Sequence, residues 1–471
     1  MSDRSLALDM LAQSQAAEAQ NLPLSYQILA SSVTTDSTAG LCWFQMGNAN
    51  WGLKLGRSAV ACYRRALQCE LPDELRPKVM NALGHALHHT GQNEEAHGVL
   101  KELTELHPEM PLPWFNLSMV ESVKGYGVPA LEHARTAVDL QPCHPPLQLN
   151  LAFQLMFSGR MMEGLRYFEA RFPYRLQHFA NYPYPQWDGT NKDGKTVVFC
   201  VSEQGIGDTL AYARFVERAA KRASFIHLGV QPELARLFRA GFQHLPNINV
   251  LPQPCPFPPA THWTTFMSLP TALGMTDEEF FATPNIKIPN FSMGGTQWKD
   301  RNAKFHIGVA WGGSPANDID VWRSFPIHYL LELYEIPGIQ LYALQTDDRA
   351  QEIHSTGSAT LIKDMRPFIR DVADTTAILR ELDLVITCEG VLGHIAGAMN
   401  VPCWIAYSYQ GRTVHLGHYP KPGEVPFYPK HWVFKQGWNH DWKPVFGTIK
   451  DNLHDFMEKR VLQQRDGSGA R

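Results

Sequence analysis

Small residues recur through the first third of the chain at a nearly constant interval. Ala59, Ala96, Ala130 and Gly164 stand 37, 34 and 34 residues apart. A period in this range marks a helix-turn-helix unit that buries its apolar side only by stacking on copies of itself. Around those positions the units align Trp43, Gly47, Tyr63 and Ala66, then Leu83, Gly84, Leu100 and Pro108. Trp114, Leu117, Ala137 and Pro142 follow, and then Leu151 and Phe168. The longer first interval reads as about three extra loop residues near Leu71-Pro72. The small residue returns where two helices cross closely. The proline returns where the second helix must stop, because its ring removes an amide and clashes with the preceding turn.

This pattern resembles the tetratricopeptide repeat over roughly residues 40–170. Residues 1–40, with Leu6, Leu8, Leu11 and the 26–29 stretch, read as a degenerate first repeat or a cap. Such arrays present a concave face that holds peptides or proteins. Packing on the next domain or dimerisation is the plainer use of the same surface.

At 471 residues there is room for about three domains. With 44% hydrophobic and 19% charged residues the chain is globular in composition, and a net charge of −4 speaks against a broad basic face for nucleic acid. The opening MSDRSLALDM has no basic segment leading into an apolar core, so no secretory leader is expected, and no apolar run nears the ~20 residues of a membrane span. Eight cysteines are scattered without a C-x-x-C pair, which suits small buried hydrophobes in a reducing, cytoplasmic setting. Neither a disulfide framework nor a metal site is expected.

Residues 172–194 are rich in Pro, Tyr, Gly and Asn and read as a linker after a repeat domain at 1–171. From 195 the pattern changes to alternating strands and helices, predicting parallel doubly wound sheets. One Rossmann-like half is expected at 195–295 and a second at 296–471, closed by a C-terminal helix. The pivotal stretch is 196–214. Val197, Val198, Phe199, Cys200 and Val201 read as a buried strand, Glu203-Gln204-Gly205-Ile206-Gly207-Asp208 as a tight turn, and Leu210, Ala213, Phe215 and Val216 as one face of a helix. Glycines there let the backbone approach a ligand, and free amides at the helix start favour negative charge. An ordinary loop with Asp208 as a helix cap fits the same residues.

Further strands are expected at 225–230, 248–251, 306–311, 339–344, 359–362, 384–387 and 402–406, with 252–264 as proline-rich loop. Asp374 reads as the cap of a helix running to about 382, Ser324 or a neighbour as the opening of a helix through 333, and 446–464 as a closing helix.

Taken in order, E-Q-G-I-G-D-T (203–209), S-L-P (268–270), H-I-G-V-A-W (306–311), R-S-F-P (323–326), D-V-A-D-T (371–375) and I-T-C-E-G-V-L-G-H-I-A-G-A (386–398) resemble the heptosyltransferase-like glycosyltransferases. The closest likeness is to bacterial proteins that fuse tetratricopeptide repeats to such a domain. The resemblance implies a GT-B fold, two Rossmann-like halves across a cleft, and transfer of a sugar from a nucleotide donor without metal or further cofactor, usually with inversion. It implies Asp208 as the base that deprotonates the acceptor hydroxyl. Arg323 would stabilise the leaving diphosphate, with Gly390 and Val391 opening a helix whose amides hold the phosphates. Glu389 and His394 would face the same cleft, and Gln345 the ribose or base. Glu203, Gln204, Gly205 and Gly207 would form the acceptor-side loop. The implied partners are a nucleotide sugar and a protein or glycan acceptor recruited by the repeats.

Two departures stand out. Family members read Asp-Thr where this chain has Glu389-Gly390, and Asp320-Val321-Trp322 is less polar than usual. A binding module with a degenerate transferase domain, and a related reaction that turns over the donor without an acceptor, therefore stay open. Taken singly, His394 is an ordinary part-buried histidine, Glu389 a helix cap and Arg323 a surface ion pair.

Overall fold

The computed structural model describes residues 6, 7, 9, 10, 13, 22–36, 38–191, 194–292, 295–314, 320–409, 411 and 425–465. Leu8, Leu11 and the tail beyond 465 lie outside them. The chain forms two compact units, Met1–Ser158 and Gly159–Arg471.

The first unit is a series of helices: α1 Leu22–Thr35, α2 Gly40–Gly52, α3 Gly56–Gln68, α4 Arg76–His89, α5 Asn93–Leu106, α6 Pro111–Lys124, α7 Gly127–Leu140 and α8 Pro145–Phe157. Prolines sit in the first turn of α4, α6 and α8, where a missing amide costs nothing. Pro108 and Pro142 follow the ends of α5 and α7. The recurring small residues mark close crossings. A Cβ added to Gly84 would stand 2.5 Å from Leu100 Cγ, and one at Gly47 would strike the Tyr63 ring. Ala59, Ala96, Leu83, Leu87, Leu100 and Leu117 share one core across successive pairs. Helical repeats of tetratricopeptide type thus make up this unit.

The second unit begins with α9, Met161–Phe168, whose Met162 amide donates to Asp277 at 2.6 Å. Gly164 and Phe168, aligned above with the repeats, therefore belong to this unit. Its first sheet contains β1 Val197–Val201, β2 Phe225–Val230, β3 Ile248–Pro252 and β4 His262–Thr265, with α10 Ile206–Tyr212 after β1 and α11 Pro232–Gly241 after β2. The strands run parallel in the order β3-β2-β1-β4.

The second sheet contains β5 Phe305–Ala310, β6 Ile339–Ala343 and β7 Ile362–Asp364. After α12, Val372–Leu379, come β8 Leu384–Cys388, α13 Val391–Ala398, β9 Cys403–Tyr407, β10 His431–Lys435 and α14 Lys443–Arg465. Its parallel order is β10-β9-β8-β5-β6-β7. Strands β5, β8 and β9 are buried along their whole length, as expected where helices cover both faces of a sheet. The strand order reverses between β5 and β8, and ligands of such sheets lie outside the carboxyl ends at that reversal.

Four expectations change. Residues 262–264, read as the end of a loop, form β4 together with Thr265, paired to β1 with Trp263 opposite Phe199; the flanking prolines hid it. Strand β7 starts at Ile362 because Ser358–Thr360 forms a 3-10 turn. Asp371, not Asp374, caps α12, accepting from the amides of Ala373 and Asp374. Ser324 opens no helix: its hydroxyl bridges the Gly313 amide and Asp320.

Candidate functional site

Gly205 is the N-cap of α10, which puts Asp208 in the first turn at the carboxyl end of β1. The Asp208 carboxylate reaches back to the Gly205 amide from inside the first turn and is not itself the N-cap. Burial, and then the Glu203 carboxylate, push the Asp208 carboxyl up to about 6, against the pull of the Gly205 and Asp208 amides. Glu203 itself is taken up structurally. Arg171 grips it through Nε at 2.8 Å and Nη2 at 2.9 Å, and the Thr265 hydroxyl donates to it at 2.7 Å. Arg171 also reaches Ser268 and Glu169, tying the start of the unit to the ends of β1 and β4. Gln204 is exposed, with its carbonyl accepting from Gln231 at 2.7 Å. Gly207 is needed for packing, since a Cβ there would stand 2.6 Å from Cδ2 of His394 on α13.

His394 is thus one of the points where the two halves touch. Its Nδ1 lies 3.1 Å from the Tyr428 hydroxyl. Burial keeps the Tyr428 phenol protonated, while burial and the Arg214 charge hold His394 down to about 4. The imidazole is therefore neutral and the phenol protonated, and the two share a hydrogen bond through Nδ1. Arg214 stacks 3.7 Å over the Phe427 ring and donates to the Phe427 and Thr283 carbonyls. It also pairs with Asn285, whose amide donates to the Gly397 carbonyl at 3.0 Å. Arg214, Asn285 and Tyr428 therefore fix His394 against α10. They carried no signal in the sequence, because each acts only through contacts between distant segments.

At the reversal of the second sheet, Gln345 is a brace and not a free reader of ribose. Its oxygen accepts from the Trp311 and Gly312 amides and its nitrogen donates to Gly312 and Asp347. That uses the whole amide on the turn after β5. Arg323 and Arg349 lie over Gly313 and Gly312, where any added Cβ would collide with them. Between the two sits Asp320, 3.1 Å from Arg323 Nε and 2.6 Å from Arg349 Nη2. Burial and these mixed charges leave the Cys388 thiol at the end of β8 pushed up to about 12. Glu389 is buried, whereas Val391, on the first turn of α13, is exposed. Gly390 caps α13 in an extended conformation with open space around it, so neither sterics nor backbone demands glycine there.

The repeat unit holds a second periodic series, which alignment on the small residues overlooked. Asn48, Asn81, Asn116 and Asn150 fall 33, 35 and 34 residues apart on α2, α4, α6 and α8. Asn116 donates to Asn81 at 2.9 Å, joining α6 to α4, and Asn150 donates to Ser118 at 2.5 Å, joining α8 to α6. Buried Glu121 on α6 lies 2.7 Å from His133 and 3.4 Å from His97.

No family model matches the chain, and no curated protein matches it. Among solved structures it is similar to YrrB, described as a TPR protein with an unusual peptide-binding site, at 17% identity over 37% of this chain and 88% of that one, with a TM-score of 0.30. MamA from Desulfovibrio magneticus RS-1 shares 18% identity over 39% and 99% of the two chains, with a TM-score of 0.32. Pseudomonas aeruginosa PilF shares 21% over 36% and 76%, with a TM-score of 0.31. With scores this low, the repeat assignment stands on the helix pairs and their period in this chain. No helix among the described residues is long and apolar enough to cross a membrane.

Proposed function

We propose that this chain is a glycosyltransferase of GT-B type that moves a sugar from a nucleotide donor to a protein or glycan acceptor recruited by the helical repeats. The observation that carries the reading is the meeting of Asp208 and His394 turns: each opens the helix that follows a parallel strand, and Gly207 brings the two helices into contact. In this reading Asp208 takes the proton of the acceptor hydroxyl. A carboxyl pushed up to about 6 is still ionised at neutral pH, yet is more basic than an ordinary aspartate. His394, held neutral by burial and Arg214, lines the same contact without contributing charge. Arg323 supplies that charge, with Gly390 and Val391 presenting the helix start. The helical repeats suit an acceptor segment, because arrays of this kind present an extended binding surface.

The test is a thermal-shift screen of the full chain against nucleotide sugars and free nucleoside diphosphates, followed by product analysis with the donor found. Asp208→Ala is expected to keep the donor-induced shift and lose transfer. Full transfer by that variant would remove Asp208 as the base. The second reading, a binding module with a degenerate transferase domain, draws on the buried Glu389 beside Gly390 where the resemblance implies Asp-Thr. It gains the field if no donor shifts the melting midpoint at millimolar concentration.

A further inference from the structure

Two arginines and one carboxylate meet at the strand reversal of the second sheet. Arg323 comes from the segment after the β5 turn and Arg349 from the segment after β6. Both side chains lie across Gly312-Gly313, and a Cβ on either glycine would strike one of them. Asp320 is buried and splits its oxygens between them, Oδ1 on Arg323 Nε at 3.1 Å and Oδ2 on Arg349 Nη2 at 2.6 Å. The Ser324 hydroxyl holds Oδ1 from a third side at 3.2 Å. An ion pair that serves only to tie down a loop needs one arginine. Here two guanidiniums converge on one carboxylate, at the place where open α/β sheets receive ligands.

We infer that Arg323 and Arg349 form a two-arginine cradle for a diphosphate group and that Asp320 closes this cradle by occupying it. The inference rests on the donor reading above, since it names the second cation of that site and what competes for it. The geometry explains both parts. A carboxylate offers two oxygens, and here each serves a single guanidinium. A diphosphate offers more oxygens and more charge, so each arginine can turn its planar fork to a separate phosphate in a paired contact. The glycines keep the surface under the forks flat. Because Asp320 already neutralises half of the cradle, an incoming diphosphate must displace it, and its affinity is reduced by that competition.

The experiment is titration calorimetry of inorganic pyrophosphate into the full chain, wild type against Asp320→Asn and Arg349→Ala. Asp320→Asn keeps the side-chain size and the Ser324 contact but releases the ionic competitor, so pyrophosphate is expected to bind about tenfold more tightly. Arg349→Ala is expected to weaken it by about tenfold or more. Binding to wild type that Asp320→Asn leaves unchanged or weaker overturns the closure by Asp320. Binding that Arg349→Ala leaves unchanged overturns the cradle, while a donor shift in the thermal screen would keep the transferase reading alive. Absence of pyrophosphate binding in both wild type and Asp320→Asn overturns the whole inference. Should Asp320→Asn fail to fold, Arg349→Ala decides alone, because a purely structural arginine would leave pyrophosphate affinity untouched.

Discussion

Asp208 ionises next to another carboxylate, Glu203, in a half-buried turn, and that neighbourhood has opposite consequences for stability and reactivity. With its carboxyl pushed up to about 6 from 3.8, the folded chain takes up a proton more readily than the unfolded one between those values. Stability contributed by this group therefore falls as pH rises through that window and stays lower above it. Asp208→Asn is expected to raise unfolding free energy at pH 8 by roughly 1–2 kcal/mol, with the gain shrinking toward zero near pH 4. Denaturant melts of both proteins at the two pH values check this, and an equal gain at both would disprove the ionic cause. His394 has the reverse environment, since burial and Arg214 favour its neutral form. The carboxylate and the imidazole at this contact thus differ in charge across the neutral range.

At the scale of elements, α10 and α13 approach each other because Gly207 has no side chain. The Cβ of an alanine at 207 would stand 2.6 Å from His394 Cδ2, closer than real carbon contacts allow. Either α13 moves outward or the imidazole turns away from Tyr428. Gly207→Ala is expected to lower stability by about 1–3 kcal/mol despite the better helix propensity of alanine. Thermal unfolding followed by circular dichroism reads that loss; an unchanged or raised midpoint would mean that the contact is not tight in solution. A second clasp joins α11 to α12. Arg236 holds Asp371 at 2.6 and 2.8 Å and Asp374 at 2.5 Å, and Arg370 adds to Asp374 from the other side. Asp374 is buried and held well below the usual carboxylate range, by Arg370 first and Arg236 next.

For the whole molecule, the two compact units have separate apolar cores. One core runs through Ala59, Leu83, Leu100 and Leu117 of the repeats. Another gathers Ile307, Trp311, Leu341, Ile386, Trp404 and Phe446 around the second sheet. Repeats exchange contacts mainly with neighbouring repeats, whereas a doubly wound sheet melts as one body. Differential scanning calorimetry is therefore expected to resolve two transitions, and a single two-state peak for the full chain would show the units unfolding together.

The sequence by itself determined the periodic helices, most parallel strands and the turns that end them, because period and composition are local properties. The 34-residue interval survives as helix pairs, and apolar runs such as 197–201 and 384–387 lie in strands. Tertiary structure decided what each polar side chain does. Glu203 and Gln345, read as ligand-facing, are consumed by Arg171 and by the β5 turn. Arg349, Tyr428 and Arg214, silent in the sequence, stand beside Asp320 and His394. Strand β4 showed no alternation because prolines and threonines surround its four residues. The ion pairs that decide these roles, Arg171 with Glu203 and Arg349 with Asp320, join residues far apart in the chain. For such distant pairs no local pattern specifies which carboxylate meets which arginine until the sheets have formed.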